Sequence, residues 1–163
     1  AQTVFWNGIS LVRVFVCVDE HIQHACHKVY CIKYHLVFCV KYRKDLFLSD
    51  EYLACFRAVL IEISKRYFFT FETVGVDEDH VHLLVQAAPR YSPSRIVQMI
   101  KSITAKELFK KYPEIKKELW GGEFWGDAGY IGTVGEGVNA DIIRNYIKKQ
   151  GRHNSQVKLS DFT

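Results

Sequence analysis

Residues 79–85 constrain this chain more than any other stretch of its sequence. His80 and His82 flank Val81 within a run of apolar residues that favour β-structure. Successive side chains of a strand point to opposite faces, so we expect both histidines on one face and the intervening apolar residues in a core. Two neutral imidazoles held side by side suit one divalent metal ion. Two half-buried polar residues on a solvent-facing strand would give the same pattern, so that alternative stays open.

Size and composition predict one main domain with a modest basic excess. The chain has 163 residues, 48% of them hydrophobic, which is enough for a single core. Its 22 Lys and Arg residues against 18 Asp and Glu permit nucleic-acid binding without requiring it. The five cysteines include no Cys-x-x-Cys spacing, which predicts a reduced, cytoplasmic protein. No apolar run approaches the roughly 18 residues that span a bilayer, so no membrane association is expected.

Residues 1–26 fit the remainder of the chain poorly, and we predict an N-terminal extension of uncertain order there. Its apolar run, residues 11–18, is too short for a membrane span or a convincing signal peptide. It ends at a cluster of candidate zinc ligands: His21, His24, Cys26 and His27. Their spacing matches no common zinc pattern, so ordinary packing or disorder is the favoured interpretation. The main domain is predicted over residues 27–151, with a C-terminal tail at 152–163.

The first half of the main domain predicts a strand, a helix and a hairpin. Residues 29–41 form a long run of strand-favouring residues. The run ends in a basic cluster with one aromatic member: Lys41, Tyr42, Arg43 and Lys44. Ser49 is the predicted N-cap of an amphipathic helix that extends to about residue 66. Residues 68–76 predict a second strand, and a tight turn at 77–79 joins it to the histidine strand as an antiparallel hairpin.

The second half predicts two helices and a short strand. One helix starts at Ser94, and a strand is expected over residues 130–134, within a glycine-rich region that ends at residue 137. The last helix covers about residues 140–150, with Asn139 as its N-cap. This order of elements predicts an α+β fold: an antiparallel, ferredoxin-like sheet with helices packed on one face, plus the C-terminal helix.

Tyr146 and Gln150 lie four residues apart on the last predicted helix, so they share a face. Taken with the other motifs, they resemble the single-tyrosine HUH transposases of small insertion sequences, the IS200-like family. The matching pieces are residues 34–38 with the basic cluster after them, the histidine strand, residues 123–125 and the segment 146–150. The resemblance covers about residues 27–150.

The resemblance implies a homodimer that cuts and rejoins single-stranded DNA with hairpin ends. It implies that His80, His82 and Gln150 bind a divalent metal, Mg²⁺ or Mn²⁺, and that Tyr146 is the nucleophile. A phenol is a poor nucleophile at neutral pH, so a metal ion on the scissile phosphate suits this chemistry. Attack would give a 5′-phosphotyrosine and a free 3′-hydroxyl, and rejoining would need no ATP. In this family the tyrosine helix can serve the partner's histidines, with residues 132–137 as the hinge.

DNA contacts are predicted from charge and aromaticity. The candidate phosphate-binding residues are Lys41, Arg43, Lys44, Arg90, Arg95 and Lys101. The candidate base-stacking residues are Trp120, Phe124 and Trp125. A solvated helix face and a set of core aromatics would explain each of them equally well, so both interpretations stay open.

Three other functions remain open at the level of sequence. A domesticated repeat-processing relative, a replication initiator or a relaxase of the wider HUH class would use the same chemistry. A non-catalytic single-strand-binding module would not need Tyr146 for any DNA interaction. A metallohydrolase would use the histidine pair with water as the nucleophile. The last two do not explain why Tyr146 and Gln150 share a helix face.

Overall fold

The computed structural model describes residues 23–25, 28–135 and 138–150, and the side chains of residues 30–135 and 141–149. The side chains of the predicted zinc ligands, His21, His24, Cys26 and His27, lie outside the described residues. The glycine-rich hinge predicted over residues 132–137 is described only as far as residue 135.

The chain divides into two units, residues 1–31 and 32–163. In the first unit, strands β1 (Gln23–Ala25) and β2 (Lys28–Tyr30) form an antiparallel hairpin. The predicted continuous strand over residues 29–41 is therefore wrong, because its first part pairs with β1 and its second part pairs with other strands.

The second unit is built on a sheet of four strands. They are β3 (Lys33–Val40), β4 (Thr70–Val76), β5 (His80–Gln86) and β6 (Trp125–Val134). Their order across the sheet is β4–β5–β3–β6, and every neighbouring pair is antiparallel. The predicted hairpin joins β4 to β5, and the amide of Asp77 donates to the carbonyl of His80 at 2.9 Å. This strand order confirms the α+β, ferredoxin-like prediction.

Helices follow the predicted positions with small shifts at their ends. They are α1 (Asp50–Tyr67), α2 (Pro93–Lys111), the short α3 (Ile115–Glu118) and α4 (Val138–Gln150). Ser49 is the N-cap of α1, as predicted. The N-cap of α2 is Ser92, whose hydroxyl accepts from the amide of Arg95, so Pro93 rather than Ser94 opens the helix. Asn139 lies inside α4 instead of capping it. None of the helices among the described residues is long and apolar enough to cross a membrane.

The main core lies between one face of the sheet and helices α1 and α2. Val81, Leu83 and Val85 of β5 are fully buried in it, together with apolar side chains of both helices. Helix α4 packs on the opposite face, where Ile147 contacts Leu84 in a smaller apolar cluster. Helix α4 therefore covers part of this second face, over β4 and β5, and the histidines lie on the α4 side.

A β-bulge in β4 changes which residues enter the core. Strict alternation predicts Phe69, Phe71 and Thr73 on one face. The pairing with β5 shifts register between Phe71 and Thr73, so Val74 and Val76 take the inward positions instead. Thr73 then pairs with Leu84 on the α4 side.

A buried ion network joins α4 to the sheet. Lys33 Nζ lies 2.8 Å from Glu72 Oε1, and Arg144 of α4 donates from Nη2 to Glu72 Oε2 at 2.8 Å. Lys33 and Glu72 are 4% and 7% exposed. Burial by itself would raise the pKa of the Glu72 carboxyl, but hydrogen bonds and charge from Lys33 and Arg144 outweigh it and hold the pKa below its usual value.

We expect Glu72→Gln to lower the free energy of unfolding by about 3 kcal/mol at neutral pH, because it leaves a buried ammonium without its counter-ion. Since the folded-state pKa is depressed, the carboxylate stabilises the fold above the unfolded value of 4.5 and loses that effect as pH falls through the folded value. Urea unfolding of wild type and variant should therefore converge on acidification. Glu62→Gln is the control, because Glu62 contacts Lys65 at an exposed site. An unchanged difference at low pH would contradict the ionic explanation.

Candidate active site

Strand β5 presents His80 and His82 side by side, on the face opposite the core. Their ring centroids are 5.0 Å apart. His82 is 4% exposed because α4 covers it, whereas the His80 side chain is 19% exposed. The predicted shared face is confirmed, but the face is not open to solvent along its whole length.

His80 is held through its Nδ1 atom by a short chain of charged groups. Nδ1 lies 2.6 Å from Asp79 Oδ1, and Asp79 Oδ2 lies 2.7 Å from Arg43 Nε. Burial would raise the pKa of the Asp79 carboxyl, but the His80 hydrogen bond and the Arg43 charge lower it below its usual value. Tyr42 and Arg43 reach this position through consecutive left-handed backbone conformations, with φ of 58° and 52°. Because Nδ1 is engaged in this way, Nε2 is the ring nitrogen that His80 can offer to a ligand.

The Nδ1 atom of His82 is also engaged, in this case by a third histidine. Nδ1 of His82 lies 3.2 Å from Nε2 of His35, a buried residue of β3. Nε2 of His82 is buried and has no hydrogen-bond partner among the described residues. Burial, followed by the charges of His80 and His35, lowers the pKa of His82 to about 4. The imidazole of His82 is therefore neutral at physiological pH.

Helix α4 places Tyr146 over this pair of histidines. The Tyr146 ring lies edge-on to His82, with centroids 5.6 Å apart, and 6.3 Å from the ring of His35. It remains 47% exposed, while its neighbour Ile147 is fully buried. Gln150 is the last residue of α4, one turn beyond Tyr146, and its side chain lies outside what the structure describes.

The donor set fits a divalent metal ion. Both imidazoles of the strand engage Nδ1, so each can offer Nε2 to a ligand, and Nε2 of His82 is buried without a partner among the described residues. Within the described part of the chain, His, Cys, Asp and Glu side chains form no group of three suited to a metal.

The sequence of residues 28–150 decides the family. The family model described as "Transposase IS200 like" matches residues 28–150. The chain belongs to this family. It is similar to the ISDra2 transposase TnpA of Deinococcus radiodurans, with 36% identity over 122 residues that cover 75% of this chain and 86% of that protein. It is also similar to the transposase for insertion sequence element IS200 of Salmonella typhimurium, with 28% identity and coverage of 76% and 80%.

Solved structures agree with this assignment of an IS200-like transposase. A crystal structure of a candidate transposase from Deinococcus radiodurans R1 superposes with a TM-score of 0.62 at 30% identity, covering 79% of this chain and 98% of that one. A REP-associated tyrosine transposase bound to a REP hairpin superposes with a TM-score of 0.55, covering 77% and 69%. Its identity of 11% supports the shared fold alone.

The basic residues predicted to contact DNA in this IS200-like transposase are mostly engaged within the protein. Lys41 Nζ lies 2.6 Å from Glu123 Oε2, and the Glu123 hydrogen bond raises the pKa of Lys41. Lys101 donates to the carbonyl of Gly126 at 2.9 Å, and burial lowers its pKa. Arg43 pairs with Asp79, as described above.

The remaining cations lie at the surface. Arg90 stacks over the rings of Phe68 and Tyr91, with distances of 5.7 and 5.1 Å to their centroids. Arg95 Nη1 donates to Gln98 Oε1 at 2.7 Å. Lys44 is exposed, four residues after the end of β3.

The aromatic residues predicted to stack on bases differ in their exposure to solvent. Trp120 is 84% exposed and presents its ring to solvent. Trp125 is 6% exposed and donates from Nε1 to Thr104 Oγ1 in the core, so the prediction that it stacks on bases is wrong. Phe124 is also buried in the core, so the prediction that it stacks on bases is wrong for the same reason. Tyr130, which sequence reasoning missed, is 57% exposed on the histidine face, 5.6 Å from the ring of His35.

Gly75 lets α4 approach the sheet closely enough to bring Tyr146 to the histidines. A Cβ atom at this position would lie 2.7 Å from both Cγ2 and the carbonyl oxygen of Ile147. Such distances require the helix to move, because a backbone oxygen cannot rotate away. Gly75 lies beside His82 in the β4–β5 pairing, so the contact is directly next to the site.

We expect Gly75→Ala to destabilise the fold by about 1–3 kcal/mol through overpacking, and to displace α4. Amides of α4 should then exchange faster with deuterium, while the amides of β3 and β5 stay protected. Gly126→Ala is a matched control, since a Cβ there meets only the carbonyl oxygens of Cys39 and Val40 at the ordinary contact distances of 3.5 and 3.7 Å. Equal α4 protection in both variants would show that Gly75 does not govern the docking of the helix.

Proposed function

We propose that this transposase cuts and rejoins single-stranded DNA at the ends of an insertion sequence, through a covalent bond between Tyr146 and the 5′-phosphate. The observation that carries the proposal is the exposed Tyr146 ring, 5.6 Å from the ring of His82 and on the same side of the sheet as His80. A nucleophile beside two imidazoles is the arrangement expected of a metal-assisted phosphoryl transfer.

The proposed reaction conserves the energy of the phosphodiester. The phenolic oxygen of Tyr146 attacks the scissile phosphorus, the bond between phosphorus and the 3′-oxygen breaks, and a free 3′-hydroxyl leaves. The phenolic proton passes to solvent, to which about half of the ring is exposed, and the departing 3′-oxygen takes a proton from solvent to become the hydroxyl. Rejoining reverses these steps with a 3′-hydroxyl of another strand end, so neither ATP nor a redox partner is required.

His80 and His82 would hold the metal ion through their Nε2 atoms, with Gln150 as the proposed third ligand. Asp79 and His35 occupy the two Nδ1 atoms, which favours Nε2 as the free donor on each ring. Nitrogen and amide ligands with open positions suit Mg²⁺ or Mn²⁺. When bound, the ion would polarise the scissile phosphate and neutralise the charge that develops on it.

The DNA strand is proposed to cross the histidine face toward the end of the sheet where β3 finishes. Lys44 and the exposed part of Arg43 would contact phosphates there, with Arg90 and Arg95 as more distant candidates. Tyr130 and Trp120 would stack on unpaired bases, because both rings are exposed. Lys41 and Lys101 would contribute only after giving up their internal partners.

We also propose a homodimer. Among the described strands, β6 has a neighbour on one side only, and its residues 127–131 are exposed. A long uncovered edge of this kind favours pairing with another chain. In the structure, α4 covers its own sheet; sharing of the tyrosine with the partner's histidines would require α4 to move away.

A covalent-adduct assay tests the reaction. Purified protein is incubated with 5′- or 3′-labelled single-stranded DNA from the flanks of its gene, with Mn²⁺ or with EDTA, and run on a denaturing gel. We expect a metal-dependent adduct only with the 3′-labelled strand, because the protein retains the 5′-phosphate of the downstream fragment. An adduct with the 5′-labelled strand would show instead that the protein is joined to the 3′ end of the upstream fragment. DNA binding without an adduct would favour the single-strand-binding module, and cleavage without an adduct would favour the metallohydrolase.

A further inference from the structure

We propose that His35 is a positioning residue, which holds His82 in the tautomer that carries its proton on Nδ1 and keeps Nε2 free. The inference deepens the proposed function, since it rests on His82 being a metal ligand. His35 lies 47 positions before His82 in the chain, and the antiparallel pairing of β3 with β5 brings their rings together.

The contact is an edge-to-edge hydrogen bond between two imidazoles. Nε2 of His35 and Nδ1 of His82 are 3.2 Å apart, within hydrogen-bond distance. The ring planes differ by only 20°, yet the centroids are 5.5 Å apart. Rings that were stacked face to face would have closer centroids, so the nitrogen edges point at each other. One proton must lie between the two nitrogens, because two lone pairs facing each other would repel.

The surroundings of His82 favour one position for that proton. If His35 donated it, His82 would carry its own proton on Nε2, which is buried and has no acceptor among the described residues. A buried N–H without a partner costs about 1–3 kcal/mol. If His82 donates from Nδ1, its Nε2 keeps a lone pair that can bind a cation.

The ring of His35 is held in place to accept this bond. His35 is 8% exposed, and its ring is flanked edge-on by Tyr130 at 5.6 Å and by Tyr146 at 6.3 Å. Asp79 performs the corresponding task for His80, through Nδ1 at 2.6 Å. Each candidate ligand therefore has its own orienting partner, one a carboxylate and the other a histidine. Partners of this kind set ligand orientation and affinity in metal sites.

Two substitutions at position 35 separate orientation from packing. His35→Gln keeps an acceptor, since its amide oxygen can take the His82 proton; His35→Phe fills the space without one. In metal-free protein, ¹⁵N-edited NMR of the imidazoles should show His82 protonated at Nδ1 in wild type and His35→Gln. The Phe variant should show loss of that preference, with His80 unchanged in all three proteins. Thermal unfolding shows whether each variant remains folded at the temperature of measurement.

Metal binding gives the second readout. We expect the Mn²⁺ affinity of His35→Phe to fall about 10- to 100-fold, as for other partners of metal-ligating histidines, and that of His35→Gln to stay within a few-fold of wild type. A wild-type His82 protonated at Nε2, or an unchanged tautomer in His35→Phe, would overturn the inference. If wild type bound no Mn²⁺, the proposed metal role would fail, while the tautomer spectra would still decide whether His35 orients His82.

Discussion

Tyr146→Phe is expected to abolish the covalent DNA adduct and to reduce strand cleavage by roughly 10³-fold or more, because the attacking oxygen is removed. The aromatic ring that packs against His82 is retained, so the docking of α4 should not change. DNA binding and thermal unfolding should stay close to wild type, since half of the ring already faces solvent. The measurement is the yield of adduct and of cleaved strand under single-turnover conditions with Mn²⁺.

Tyr130→Phe is the matched control for this experiment. Tyr130 is also an exposed tyrosine on the histidine face, and both rings approach His35 from its edge. The same loss of one hydroxyl should leave adduct formation intact there, because a phenylalanine ring can still stack on a base. If the adduct persists in Tyr146→Phe but disappears in Tyr130→Phe, Tyr130 is the nucleophile. Adduct in both single variants would indicate a nucleophile elsewhere in the chain.

His82→Ala should remove metal-dependent cleavage, with a loss of at least about 10²-fold. A metal ion on the phosphate lowers the activation free energy by several kcal/mol, and this variant would lose that effect. The sequence predicts an unchanged fold because His82 faces away from the main core. The structure adds that α4 covers the residue and that its described hydrogen bond is to His35. We therefore expect a loss of about 1–3 kcal/mol in the free energy of unfolding, but a folded protein.

Mn²⁺ titration and urea unfolding of the same preparation separate these two effects. Thr73→Ala is the control, because Thr73 lies on the α4 side of the sheet next to Leu84 and offers no metal ligand. It should keep both metal affinity and cleavage. Unchanged Mn²⁺ affinity in a folded His82→Ala protein would place the metal, and the reaction, away from the histidine strand.

The local parts of this fold and site followed from sequence periodicity. The period of two in β5 puts His80 and His82 on one face, and the helical period of α4 puts Tyr146 on the turn before Gln150. The hairpin between β4 and β5 follows from the acidic turn at 77–79. These relations span only a few residues, so backbone geometry alone determines them.

Sequence patterns failed where a residue's partner comes from another element. The bulge in β4 cannot be inferred from its own alternation, since it depends on the register against β5. Trp125 resembles an exposed stacking residue in sequence, yet Thr104 of α2 satisfies its indole and buries it. Arg43 has the charge expected of a phosphate contact, and its pairing with Asp79 appears only once β3 and β5 are adjacent.

The sequence by itself determined the fold class, the shared face of the two histidines and the family to which the chain belongs. Tertiary structure alone decided which groups support that site: His35 on His82, Asp79 and Arg43 on His80, and Gly75 beneath α4. The physical reason is distance along the chain. A hydrogen bond between β3 and β5, or a glycine that admits a helix, depends on how separate elements pack, and no local pattern records that packing.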